Sequence, residues 1–152
     1  MNTISPRLAV LDMAGQRFVG HVLSPALKQP RGLTRLRAII NAWFDWSRRT
    51  DGGCVLLGAV SEYDDRPGSL RDWVIEQQKR WRQMLAQAVQ LSIDSGELGA
   101  DTDTGQLAFE IYALALIVHH DAGLFGFDAA LVRGLRAYER LIRSYAAAPV
   151  PA

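Results

Sequence analysis

The stretch from Thr104 to Tyr145 constrains this chain most. Its first half, TGQLAFEIYALALIVHHDAGLF, is apolar on nearly every bearing of a helix, through Leu107, Ala108, Phe109, Ile111, Tyr112, Leu114, Leu116, Ile117 and Val118. A surface helix shows one apolar stripe, whereas one that is apolar all round has to be covered all round. After Gly126 the pattern narrows to a stripe. Leu131, Leu135, Tyr138, Ile142 and Tyr145 are spaced 4, 3, 4 and 3, the rhythm of helices meeting lengthwise. A chain of 152 residues holds one domain and one sizeable core. Too few elements remain to bury both surfaces. The pair is therefore expected to be half of a helical dimer interface, with helices of about 104–124 and 127–145 meeting their two-fold mates. The interface set is Leu107, Ile111, Leu114, Val118, Leu131, Leu135, Tyr138 and Ile142. A monomeric bundle around one fully buried central helix is the competing arrangement.

The remaining elements read as helices too. Leu8, Leu11, Phe18, Val22 and Leu23 form a broken stripe over residues 7–24, opened by Ser5-Pro6 and expected to end at Ser24-Pro25. A second helix runs from Thr34, as N-cap, through Leu36, Ile39, Ile40, Trp43 and Phe44 to about Arg49, where TDGG ends it. CVLLGAVSEYDD suits a short helix or a strand. Helix is the better choice, because no second strand exists to pair with it. Pro67 belongs to the first turn of a long helix of about 25 residues, with apolar positions at Trp73, Val74, Trp81, Met84, Leu85, Ala88, Val89 and Leu91. Thr104 caps the covered helix, and AAAPVPA is a frayed tail. The fold class is all-α: a bundle of about six helices with a C-terminal antiparallel pair.

Charge is uneven although the net value is only +1. Residues 1–50 carry eight Arg or Lys against two Asp, and residues 51–110 carry eleven acids against five bases. A basic N-terminal third suits either a phosphate backbone or the solvated faces of two helices. The single Cys54 excludes an intrachain disulfide, and cytosol is the simplest compartment. No signal peptide is visible, and His119, His120 and Asp121 cut short the one long apolar run, so no membrane span is expected.

No GxSxG, Walker glycine loop, HExxH or dinucleotide glycine set is present, which argues against an enzyme and a bound cofactor. Cys54 after Gly52-Gly53 reads as a small residue at a tight turn rather than a nucleophile. His119 and His120 point about 100° apart on a helix and make a poor metal pair. Either one serves as a polar group in a cavity, or both cap or decorate the helix end. Glu62, Asp64 and Asp65 precede a helix start, where acids help without any cation. No metal site is expected. The four tryptophans, Trp43, Trp46, Trp73 and Trp81, carry more weight. Large rings whose N–H groups need partners commonly line apolar pockets, although a plain aromatic core is the alternative. Trp73, Gln77 and Trp81 share one helix face, and a buried Gln77 amide would need a partner.

Three passages together, PRGLTRLRAIINAWFDW, GGCVLLGAVSEYDDRPGSLRD and WRQMLAQAVQLSIDSGELGADTDTGQLAFEIYALAL, resemble the C-terminal regulatory domain of TetR-type (tetracycline-repressor-like) transcriptional regulators. The resemblance runs from about Leu8 to Tyr145. It implies an effector-binding and dimerisation domain over residues 1–152, in which the last two helices pair across a homodimer and the earlier ones enclose a small-molecule cavity. It also implies that operator DNA is gripped by an N-terminal helix-turn-helix head, which these residues lack, so they should not read a DNA sequence. A headless small-molecule-binding or heterodimerising helical protein is the alternative. On the leading reading, Trp43, Trp73, Gln77, Trp81, Tyr112 and His119 wall a pocket between the second, long and covered helices. The effector is small and apolar or aromatic, there is no membrane partner, and the site of action is cytoplasmic.

Overall fold

The computed structural model describes residues 5–49, 55–63 and 65–149. The Gly52-Gly53-Cys54 turn and Asp64 lie outside them. Among the described residues the fold is an all-α bundle of six helices: α1 from Pro6 to Phe18, α2 Leu33–Arg49, α3 Val55–Tyr63, α4 Ser69–Asp94, α5 Thr104–Phe125 and α6 Phe127–Ser144.

Ser5 starts α1, its hydroxyl accepting from the Leu8 N–H at 3.2 Å. The helix does not stop at Ser24-Pro25. It widens into a π-helical turn over Val19–Leu23 and then continues through Ser24–Ala26. Pro25 explains the change, because it lacks the N–H that would bond the His21 carbonyl and its ring crowds that group. The chain takes one extra residue into the turn instead, and the Ser24 N–H reaches back to Val19.

Helix α2 follows its stripe: Leu36, Ile39, Ile40, Trp43, Phe44 and Trp46 are all buried. Its cap is not Thr34. The Leu33 N–H donates to Glu97 Oε1 at 3.1 Å, and the Ser95 hydroxyl donates to the same oxygen at 2.6 Å. Gly32 stands beside this carboxylate with φ of 109°, and a β-carbon there would collide with Glu97 Oε1. Helix α3 forms as expected over its described part. Helix α4 opens on Gly68, at φ 142°, so Pro67 precedes the first turn rather than occupying it. Asp103, not Thr104, caps α5, its carboxylate accepting from the Gln106 N–H at 3.0 Å.

Among the described residues two apolar cores result. The larger joins α2, the second half of α4, α5 and α6 with Phe18, Val22 and Ala26 of the first helical segment and Leu57 of α3. A smaller one holds Leu11, Ala59, Tyr63 and Val74, with Trp73 packed against it. Helices α5 and α6 lie against each other along their length. Val118 faces Gly134, where a β-carbon would collide with it, and the Tyr145 hydroxyl donates to Glu110 Oε2 at 2.7 Å. The tail is pinned rather than frayed at its start, since Gly99 N–H donates to the Tyr145 carbonyl and Ala147 N–H to that of Glu97. By length and composition α5 is apolar enough to cross a membrane, because the histidines and Asp121 lie near its end. In this bundle its inner face is the wall of the larger core.

Candidate ligand cavity

A cavity of ≈ 280 Å³ opens where the two cores meet. Trp43 from α2, Trp81 and Met84 from α4 and Tyr112 from α5 bring the edge of the larger core to it. Trp73 and Val74 bring the edge of the smaller one. The seam is a packing consequence. Trp73 and Trp81 are eight residues apart on α4, so they share a face, yet each belongs to a different core and neither closes the gap between them.

The rings hold one another in angled contacts. Trp43 meets Trp81 edge-on at 4.9 Å between centroids, Phe18 meets Trp81 at 4.8 Å, and Trp43 leans on Tyr112 at 5.5 Å. Such pairs stabilise by about 0.5–1.5 kcal/mol beyond area burial, and they keep the wall stiff. Polar groups are few, namely Gln77, Gln78 and Arg80 at the lining, the Tyr112 hydroxyl and the buried indole N–H of Trp81. Among the described residues that N–H has no hydrogen-bond partner. A buried donor left unmade costs about 1–3 kcal/mol, which an acceptor on a bound molecule would recover.

Behind Val74, Gln78 and Tyr112, which serve both, lies an open groove between α3, α4 and α5. Its lining includes Arg71, Lys79 and Arg82. The Arg82 guanidinium lies over the Tyr112 ring at 4.2 Å and over Phe109 at 5.6 Å. Among the described residues neither hollow is lined by an Asp or Glu, and no cluster of three or more His, Cys, Asp or Glu could hold a metal ion.

Of the six residues assigned to a pocket from sequence, the structure brings Trp43, Trp73, Gln77, Trp81 and Tyr112 around this one cavity. His119 does not line it. It stands partly buried further along α5, its pKa lowered by burial and then by the neighbouring charge of His120. Sequence reasoning missed the contribution of α1, where Gly15, Phe18, Val19 and Leu23 line the cavity. The signal was present in Pro25, which forces the π-helical turn; π-turns recur at functional sites.

The eight residues assigned to a dimer seam fare differently. Leu107, Ile111, Val118, Tyr138 and Ile142 are buried within the protomer, and Leu114, Leu131 and Leu135 pack partly buried against the same core. Their periodicity is that of an inward face. The large apolar residues that α5 leaves exposed are Phe109, Leu116, Ile117, Leu124 and Phe125. The outer face of α6 instead carries Arg133, Arg136, Arg140 and Arg143.

The class of protein these observations define is an all-α bundle with an aromatic cavity at the seam of two cores. A family model described as "Tetracyclin repressor-like, C-terminal domain" matches residues 32–138. The chain belongs to that family of regulatory domains. Solved structures share the fold. A TetR transcriptional regulator from Chloroflexus aurantiacus J-10-FL is 22% identical at a TM-score of 0.77, covering 92% of this chain and 73% of that one. TetR-family regulators from Streptomyces coelicolor (21% identical) and Cytophaga hutchinsonii (22% identical) each give a TM-score of 0.75, covering 91% of this chain and 70% of theirs. No curated protein matches the chain.

Proposed function

We propose that this domain is the sensing and dimerising part of a TetR-like transcriptional regulator, not an enzyme, and that it takes a small apolar or aromatic effector into the seam cavity. The observation that carries the reading is an aromatic hollow holding a buried donor, Trp81 Nε1, that has no hydrogen-bond partner among the described residues. Its wall includes the π-helical end of α1. An effector that prefers one position of Phe18, Val19 and Leu23 would thus bias the helix leading toward the N-terminus. Operator DNA would be contacted by a helix-turn-helix head outside these residues, in the cytoplasm.

The same reading makes the protein a homodimer whose seam is centred on the outward face of α5. Two copies of the arginine row on α6 would oppose each other across a two-fold axis, so that row belongs at the rim and the apolar face of α5 at the centre. The antiparallel α5–α6 pair would then form a four-helix interface burying more than roughly 1,000 Å².

Intrinsic fluorescence tests the cavity. Trp43, Trp73 and Trp81 all line it, so small planar aromatic compounds should quench or shift tryptophan emission saturably. Gln77→Trp, which adds bulk at the wall, should abolish the response. A panel that leaves emission unchanged would contradict the assignment.

A further inference from the structure

The two hollows on either side of Val74, Gln78 and Tyr112 differ in chemistry. The inner one is mainly aromatic, its Arg80 paired with Glu76 at 3.6 Å, and the outer groove carries Arg71, Lys79 and Arg82. The inner chamber offers a buried donor, Trp81 Nε1, without a hydrogen-bond partner among the described residues. The outer groove offers Lys79, exposed on α4, and Arg82, whose position is fixed by the rings of Tyr112 and Phe109. Among the described residues no Asp or Glu lines either hollow to neutralise a cation or repel an anion. Tyr112 is common to both hollows and lies under the Arg82 guanidinium, so the aromatic wall leads directly to a fixed positive charge.

We infer that the ligand is an amphiphilic anion, with an apolar aromatic body in the chamber and a carboxylate or similar head in the groove at Lys79 and Arg82. This rests on the ligand-binding reading above and narrows it to a chemical class. A carboxylate matches a guanidinium by paired hydrogen bonds and an ammonium as a point charge. A cationic ligand would find rings but no acidic side chain, and Arg82 already lies over the face of one of those rings, Tyr112.

Three matched probes test it by calorimetric titration near neutral pH: 2-naphthoate, neutral 2-naphthamide and cationic 2-naphthylmethylamine. The naphthoate should bind about tenfold or more tightly than the amide, and the amine should bind weakest. Added salt should erode the preference for the anion, since the groove is solvent-accessible. Lys79→Gln with Arg82→Gln should bring the naphthoate down to the affinity that the amide shows for the same variant. Lys79→Gln alone, at an exposed residue that lines the groove and not the chamber, should give part of that loss in a protein of undisturbed core. Equal affinity for anion and amide, tightest binding of the amine, or an anion preference that survives the double substitution would each overturn the head-group assignment while sparing the cavity. Failure of all three probes to bind would overturn both.

Discussion

Gly134 marks the closest approach of α5 and α6. A β-carbon there would collide with Val118 Cγ2 and touch the Phe44 ring at 3.4 Å. Alanine favours a helix over glycine by about 1 kcal/mol, but forcing bulk into a packed core costs about 1–3 kcal/mol. Gly134→Ala should therefore lower stability in chemical denaturation, against the propensity trend. Glu97 ties three segments together, accepting from Leu33 N–H and the Ser95 hydroxyl through one carboxylate oxygen and from Ala147 N–H through its carbonyl. Glu97→Ala should cost about 0.5–2 kcal/mol, as loss of a helix cap does. Nothing near Thr34 announces this cap, because its donor and acceptor are 64 residues apart. His119 supplies a pH dependence. Its folded pKa lies below the ordinary 6.5, so the folded state binds fewer protons than the unfolded chain. The stabilisation is whole above about pH 6.5 and is lost as pH falls through the folded value. His119→Gln should flatten the acid side of a melting-temperature profile relative to the parent protein.

Elements differ in how far local sequence decides them. The stripes of α2 and α4 name their buried residues almost directly, since one face is apolar and the other charged. Helix α5 gives its existence and length but not its orientation, because apolar residues on all bearings fit several rotations equally well. The inward set of Leu107, Ile111 and Val118 is chosen by Gly134 and the α6 surface, a tertiary preference. The 4-3-4-3 stripe on α6 is likewise an inward stripe, since helices packing inside one protomer obey the same spacing as helices packing between two. Substitution separates the faces. Ile117→Glu, on the outward face, should leave helix content intact and convert a mass of twice 16.8 kDa into that of a single chain in light scattering. Ile111→Glu, at a fully buried position, should unfold the domain through an unpaired buried charge. A parent protein of single-chain mass would contradict the dimer.

At the scale of the molecule, the cavity exists because one long helix serves two cores. Five of its wall residues were legible in sequence, as tryptophans and a glutamine on one face of α4 and aromatics facing them. The wall from α1 was not, because its sequence stripe is broken and its path depends on the π-turn at Pro25. That wall also allows the sharpest test of whether the seam holds a small molecule. Gly15 lines the cavity within a helix, and a β-carbon there would meet open space. Gly15→Leu should fill the hollow and raise the melting temperature without ligand. The decisive measurement is the thermal shift given by 2-naphthamide at about 100 times its dissociation constant, which corresponds to about 2.7 kcal/mol of linked stability. The parent protein should gain several degrees, and Gly15→Leu should gain none. An equal gain in both proteins would place the ligand elsewhere, and no gain in the parent would leave the seam without an occupant, so either result contradicts the account.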